Sequence, residues 1–294
     1  MFITETSRVT TLGPALLFAI GMVSSGFASQ GGFTTIDVPG ASLTRANGIN
    51  PQGDIVGDYS NTHGFLLSKG VFTTIDVPGA FTTAAMAINF QGDIVGNYFT
   101  LATFSRHGFL LSKGNFTTID VPGASNTLAN GINPQGDIVG FYVNATGIHG
   151  FLLSGGVFTT IDVPGAVGTV VNGINAQGDI VGYYENIVGM IDLNTHGFLL
   201  SKGVFTTISF PGFGEAKANG INSKGDIVGT YGDCCNPPIH GFLLSEGVLT
   251  TIDVPGAIQT IPGGINPGGD IVGTYRTVAP SGLGLVTHAF LLSQ

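Results

Sequence analysis

The six histidines of this 294-residue chain, His63, His107, His149, His196, His240 and His288, all stand at one position of a recurring phrase, "HGFLLS" or its variant "HAFLLS". Six of the seven tyrosines, Tyr59, Tyr98, Tyr142, Tyr184, Tyr231 and Tyr275, hold another repeated position. A catalytic histidine works once, among partners that differ around it. Six equal copies therefore predict a structural role, a His to Tyr or His to Asp hydrogen bond fastening neighbouring strands. A metal centre requires several histidines to converge, and no His-x-His or Cys-x-x-Cys spacing provides that. No catalytic, metal or cofactor-binding residue is assigned on these grounds, and no cofactor is expected.

The carboxylates repeat as well. Asp54, Asp93, Asp137, Asp179, Asp226 and Asp270 follow a turn glycine in "GDIV". They are expected to stabilise a hairpin in preference to binding Ca²⁺, because the EF-hand spacing is absent. Asp37, Asp76, Asp120, Asp162 and Asp253 precede "VPG", and Ser209 replaces the aspartate in the remaining copy. Loss of one copy predicts nothing more than the capping of a local turn. Residues that escape the repeat are the candidates for ligand contact: Phe99, Phe104, Arg106, Glu185, Asp192, Cys234, Cys235 and Arg276. The adjacent Cys234 and Cys235 are the only cysteines, and a vicinal disulfide, two free thiols or an intermolecular bond all fit them. No nucleophile-elbow, Walker, dinucleotide or zinc-protease motif occurs.

Elements that position these residues follow from the repeat. The "GDIV" aspartates recur every 39 to 47 residues, a blade-like period. Each unit holds four short runs rich in Thr, Val, Ile and Phe, separated by Gly, Pro and Asn, which is strand and turn chemistry. In order they are strand a ("ANGIN"), strand b ("GDIVGDY"), strand c ("HGFLLS") and strand d ("VFTTIDV"). "NPQG" between a and b predicts a type I turn closed by a glycine bulge, "SKG" between c and d a similar hairpin, and "VPG" after d a type II turn. Small residues at Gly48, Ala87, Gly131, Gly173, Gly220 and Gly264 predict an inner strand beside a channel, or else a kink or bulge.

Length variation is confined to one loop per unit. The turn glycine of "VPG" always lies ten residues before the turn asparagine, and the histidine nine residues before the "FTT" or "LTT" that follows. Only the stretch between the strand-b tyrosine and the histidine changes, giving loops at 60–62, 99–106, 143–148, 185–195, 232–239 and 276–287. Variable loops on one side of a constant scaffold are where binding is usually placed.

The chain past its first 28 residues opens on a lone strand d and stops on a strand c. Pairing residues 33–38 with 288–293 completes the last unit and removes an open edge. The expected fold is all-β: a six-bladed β-propeller of four-stranded antiparallel blades, closed by a one-plus-three clasp, with residues 29–294 as a single domain.

Residues 1–28 carry Arg8, an apolar run and a small-residue end at Ala28, the grammar of a cleaved signal peptide. The run is about a dozen residues, short of the roughly 20 that span a bilayer. A secreted or periplasmic protein is expected, without a membrane span in the mature chain. Net charge is -9, the wrong sign for nucleic acid.

At "ANGINPQGDIVGDY" and "HGFLLSKGVFTTID" the sequence resembles the HAF-repeat family of extracellular repeat proteins. Those pair an "A-x-G-I-N-x-x-G-x-V-V-G" phrase with an "H-A-F-L-W" phrase. His288-Ala289-Phe290 matches the second directly, five units carry Gly for Ala, and Leu stands where Trp is usual. The resemblance covers residues 31–294 and implies an exported propeller scaffold, with no catalytic residue to transfer. The expected function is a non-enzymatic, monomeric scaffold that binds glycan or protein through its variable loops. Alternatives are a hydrolase or lyase at the channel mouth, using residues such as Asp58, Arg106, Glu185, Asp192 and Arg276, and a structural envelope or matrix component.

Overall fold

Four-residue punctuation builds every unit of this chain. The computed structural model describes residues 32–188, 192–210, 212–233, 236–279 and 281–294, so the leader at 1–28 lies outside the described residues. At the first a–b hairpin, Asn50 donates its backbone N–H to Asp54 O and accepts one from Gly53, whose φ is 82°. Asn50 Oδ1 accepts the N–H groups of Gln52 and Asp54, and its Nδ2 donates to Asp54 Oδ2 at 3.0 Å. The "GDIV" aspartate thus locks the hairpin, as expected, and the arrangement recurs at Asn133 and Asp137. After strand d, Gly40 takes φ 81° and Ala41 N–H donates to Val38 O, a type II turn.

The c–d hairpin differs from the expected bulge type. Ser68 pairs directly with Val71, and both intervening residues have positive φ, 50° at Lys69 and 80° at Gly70. That is a two-residue type I′ turn, whose twist matches the flanking strands. Lys113, Lys202 and Glu246 adopt the same left-handed conformation at equivalent positions.

Twenty-four strands result among the described residues. β2 (Thr44–Ile49), β3 (Ile55–Tyr59), β4 (His63–Ser68) and β5 (Val71–Ile75) form the first antiparallel unit. The second comprises β6 (Thr82–Ile88), β7 (Ile94–Thr100), β8 (Ser105–Ser112) and β9 (Asn115–Ile119). The same plan continues through β10 (Asn126–Ile132) to β13 (Val157–Ile161), β14 (Gly168–Ile174) to β17 (Val204–Ile208), and β18 (Glu215–Ile221) to β21 (Val248–Ile252). Last come β22 (Gln259–Ile265), β23 (Ile271–Val278) and β24 (Leu285–Leu292), and β24 pairs antiparallel with the N-terminal β1 (Phe33–Ile36). The hydrogen-bonded path does not run in a closed circle. It comprises one sixteen-stranded sheet and two four-stranded sheets. Single parallel bridges, Ile148 to Gly168, Thr195 to Glu215 and Ile239 to Gln259, join successive units where strand c is extended.

Cores lie between units. Val95 of the second unit packs with Ile119, Ala129, Ile138 and Phe151 across its junction with the third. The last unit makes the same contact with the first, through Val272 and Ala289 against Ala46, Ile49 and Phe65. Phe65, Phe109, Phe151, Phe198, Phe242 and Phe290 are the largest side chains buried completely. Each lies under the glycine of "IVG": a Cβ at Gly96 would stand 2.8 Å from Phe109 and 2.1 Å from Ala84 O. Burying one such ring contributes about 1.5–3 kcal/mol.

Strand a is bulged in every unit, with Asn47, Met86, Asn130, Asn172, Asn219 and Gly263 as the extra residues. The small residue beside each bulge also meets its neighbour closely, since a Cβ at Gly48 would lie 2.9 Å from Ala87 Cα. Both readings of that position therefore hold. Asn47, Asn130, Asn172 and Asn219 each donate Nδ2 to a carbonyl of the following unit at 2.8–2.9 Å. They line a cavity of about 300 Å³.

Candidate functional site

The histidine of each unit sits on strand c directly opposite the strand-b tyrosine, as His107 does opposite Tyr98. The two rings lie face to face, with centroids 5.2 Å apart for Tyr98 and His107. The tyrosine hydroxyl is thereby directed past the histidine to strand d, where Tyr98 Oη meets Thr118 Oγ1 at 2.9 Å. The histidine Nδ1 turns to the aspartate of "IDVPG": His63 to Asp76, His107 to Asp120 and His149 to Asp162 at 2.9 Å, His240 to Asp253 and His288 to Asp37 at 2.7 Å. These aspartates are thus histidine partners rather than simple turn caps, and the pair fastens strand c to the end of strand d. The turn is held instead by a buried threonine, such as Thr127 Oγ1, which accepts Val121 N–H.

Ser209 stands where the fourth unit would carry the aspartate, so His196 lacks that carboxylate. Burial lowers its pKa below the usual histidine value of 6.5.

In the second unit the framework gains a loop of its own. Three phenyl rings meet there. Phe99 is edge-on to Phe81 at 6.4 Å and to Phe104 at 6.3 Å, with the Arg106 guanidinium 5.9 Å from the Phe99 ring centre. Phe81 is 57% and Phe104 77% exposed, far more than a core aromatic. Phe104 also holds φ 53°, a left-handed conformation uncommon for an aromatic residue. Beside these rings, Ala80, Phe81, Thr100, Leu101, Thr103 and His107 border an open cavity of about 470 Å³.

A file of hydroxyls runs through the same loop. Thr100 Oγ1 is 2.6 Å from Thr103 Oγ1, Thr103 Oγ1 is 2.5 Å from Ser105 Oγ, and Ser105 Oγ is 2.8 Å from His107 Nε2. Asp120 accepts only, so His107 Nδ1 carries the proton shared with it, at 2.9 Å. In the neutral ring Nε2 is then the acceptor, and Ser105 directs its proton to it. Sequence reading picked out Phe99, Phe104 and Arg106, which the fold brings together, and missed Phe81, Thr100, Thr103 and Ser105. Ser105 had a signal: the residue two before the histidine is Asn61, Gly147, Asn194, Pro238 or Val286 in the other units.

The remaining candidates lie apart from this loop. Asp58 is held by Arg45 at 2.7 Å and Asn47 at 3.1 Å. Glu185, with Glu215, flanks Tyr183, whose pKa is raised first by burial and then by those two carboxylates. Lys217 Nζ sits 5.2 Å from the Tyr183 ring centre. Arg276 Nη1 donates to Gln259 Oε1 at 3.2 Å. Asp58, Arg106, Glu185 and Arg276 share no hydrogen bond or ion pair among the described residues. Asp192 begins β16 with a side chain outside the described residues, and Cys234 and Cys235 lie outside them altogether.

No family model matches the sequence, and no curated protein matches it. Solved structures do. TolB from Acinetobacter baumannii is 13% identical with a TM-score of 0.56, over 87% of this chain and 65% of that one, so the present chain spans under two thirds of its length. A TolB-like protein from Agrobacterium tumefaciens, also 13% identical, gives 0.54 over 86% and 91%. AofleA from Arthrobotrys oligospora, at 13%, gives 0.52 over 88% and 85%. At this identity the likeness shows the fold alone: all-β and propeller-like. No helix among the described residues is long and apolar enough to cross a membrane.

Proposed function

We propose that the chain is an exported HAF-repeat protein, closed as a six-bladed propeller over residues 29–294, that binds carbohydrate through its variable-loop face. Closure is supported by the pairing of β1 with β24 and by the core that the last unit shares with the first. Export is supported by the signal-peptide grammar of residues 1–28.

The observation that carries the binding role is the exposed cluster of Phe81, Phe99 and Phe104, rimmed by Arg106, beside a mainly apolar cavity that the Thr100 and Thr103 side chains also border. Sugars present apolar C–H faces between hydroxyl groups. An aromatic platform beside hydroxyl and guanidinium donors matches both features. Placement on one loop of a rigid scaffold keeps the ordering cost of binding low.

A glycan array probed with the mature protein, followed by calorimetry on the best ligand, tests this reading. Phe104→Ala removes the most exposed ring and is expected to weaken binding about tenfold, in keeping with one aromatic contact. Unchanged affinity in Phe104→Ala and in Phe81→Ala contradicts it.

A further inference from the structure

We propose that the second unit is also a hydrolytic site, in which Ser105 is the nucleophile and His107 the general base. Asp120 positions the base, and the substrate class is a carboxylic ester borne on the carbohydrate. The inference rests on the binding reading for its substrate, while its chemistry rests on Ser105, His107 and Asp120.

The geometry is that of an activated serine. Ser105 Oγ lies 2.8 Å from His107 Nε2, and both Asp120 oxygens lie 2.9 Å from His107 Nδ1. These are the separations at which a base takes a hydroxyl proton while a carboxylate fixes its tautomer. The group opens onto solvent, because His107 borders the 470 Å³ cavity whose walls include Ala80, Phe81, Leu101 and Ala102. Those apolar walls suit an acyl chain, and the phenyl cluster suits the sugar that carries it.

Repetition explains why, among the described residues, the second unit is the one that qualifies. Five histidines have an aspartate on Nδ1, so the base and its positioning group are part of the scaffold. The third unit also brings a hydroxyl to the imidazole, Thr146 Oγ1 at 2.8 Å from His149 Nε2. That hydroxyl has a competing acceptor, Asn144 Oδ1 at 2.7 Å, which takes its single proton. Ser105's other partner is the Thr103 hydroxyl, which, unlike Asn144 Oδ1, can donate to Ser105 and leave its proton for His107.

In acylation, Ser105 Oγ attacks the ester carbonyl carbon as its proton passes to His107 Nε2. The Thr103 hydroxyl beside Ser105 is placed to donate to the developing oxyanion. Collapse breaks the ester C–O bond, and the sugar alkoxide leaves with the proton from His107. Water then attacks the acyl-serine, giving its proton to His107, and the carboxylic acid departs as Ser105 Oγ recovers that proton. Water is the only co-reactant, and nothing is oxidised or reduced.

The mature full-length protein is treated with a fluorophosphonate and mapped by mass spectrometry, and its rate on 4-nitrophenyl acetate is measured. Expected results are a single adduct on Ser105, a rate about 100-fold or more lower in Ser105→Ala, and no change in Thr146→Val. Asp120→Asn is expected to lower kcat and displace the pH profile of kcat/KM, which a merely structural aspartate would not do. Ser105→Ala replaces a single hydroxyl, and its urea midpoint reports whether it folds. An unlabelled Ser105, or wild-type rates in folded Ser105→Ala, overturns the proposal. Retained glycan binding without labelling overturns this inference alone. Labelling without glycan binding supports the serine chemistry and removes the carbohydrate reading.

Discussion

The second and fourth units share a strand plan and part company at their histidines. His107 sits between a serine hydroxyl and a carboxylate, stacked on Tyr98, at the edge of an open cavity. His196 lies tilted at 40° to Tyr184 with ring centres 5.3 Å apart, Ser209 has replaced its aspartate, and burial lowers its pKa below the usual histidine value. Both units remain folded around a buried phenylalanine, Phe109 in one and Phe198 in the other. The fold therefore does not depend on every His–Asp pair. What the pair supplies in five units is a fixed imidazole, and among the described residues the second loop is the one that sets a serine hydroxyl against it.

The largest effect expected is on the scaffold beneath the site. Phe109 is 1% exposed, so Phe109→Ala should cost about 3–5 kcal/mol in urea unfolding, and Phe198→Ala a similar amount. A cost below 1 kcal/mol in either would deny the two units their equivalent cores. Next is the titration of the fourth unit. His196 protonates less readily folded than unfolded, so stability rises with pH between its folded pKa and 6.5 and falls as the solution is acidified through that interval. His196→Gln should remove that slope from unfolding curves measured between pH 5 and 7, where a neutral amide has nothing to titrate.

Ser209→Asp gives His196 the carboxylate its equivalents have, and should raise its pKa in an NMR titration while changing stability by less than about 1 kcal/mol. An unmoved pKa would mean that the fourth unit holds its histidine in some other geometry. The smallest change belongs to the type I′ turns. Lys113→Gly relieves a left-handed lysine and should alter the unfolding free energy by no more than about 1 kcal/mol in either direction.

Much of the scaffold is legible in the sequence because repetition averages out local ambiguity. "NPQG" and "VPG" need Gly at φ 82° and 81°, and each formed the turn its spacing predicts. The pairing of β1 with β24 could be read from two fragments of one unit at opposite ends of the chain. "SKG" was misread because a lysine at φ 50° goes against the usual residue preference. The histidines were read as framework, which holds for the Nδ1 side, facing the repeated aspartate. The Nε2 side faces the variable loop, and its partner depends on how residues 99–106 fold back over the strand. That loop places Phe81 of the preceding turn against Phe99, a contact no spacing within one phrase reveals. Asn47 was equally hidden, because its role as a link to Ala85 O arises from the bulge that turns it toward the next unit.

The claim that one loop of a repeated scaffold carries the function is tested most directly by alanine-methyl NMR during titration with the array-selected oligosaccharide. Ala80 and Ala102 border the second-unit cavity, while Ala41, Ala124, Ala166 and Ala257 occupy the position of Ala80 in other units. The account predicts saturable shifts at Ala80 and Ala102 and none at the other four. Equal shifts at Ala41, Ala80, Ala124, Ala166 and Ala257 would contradict it, placing binding in the repeat instead of in the loop that departs from it.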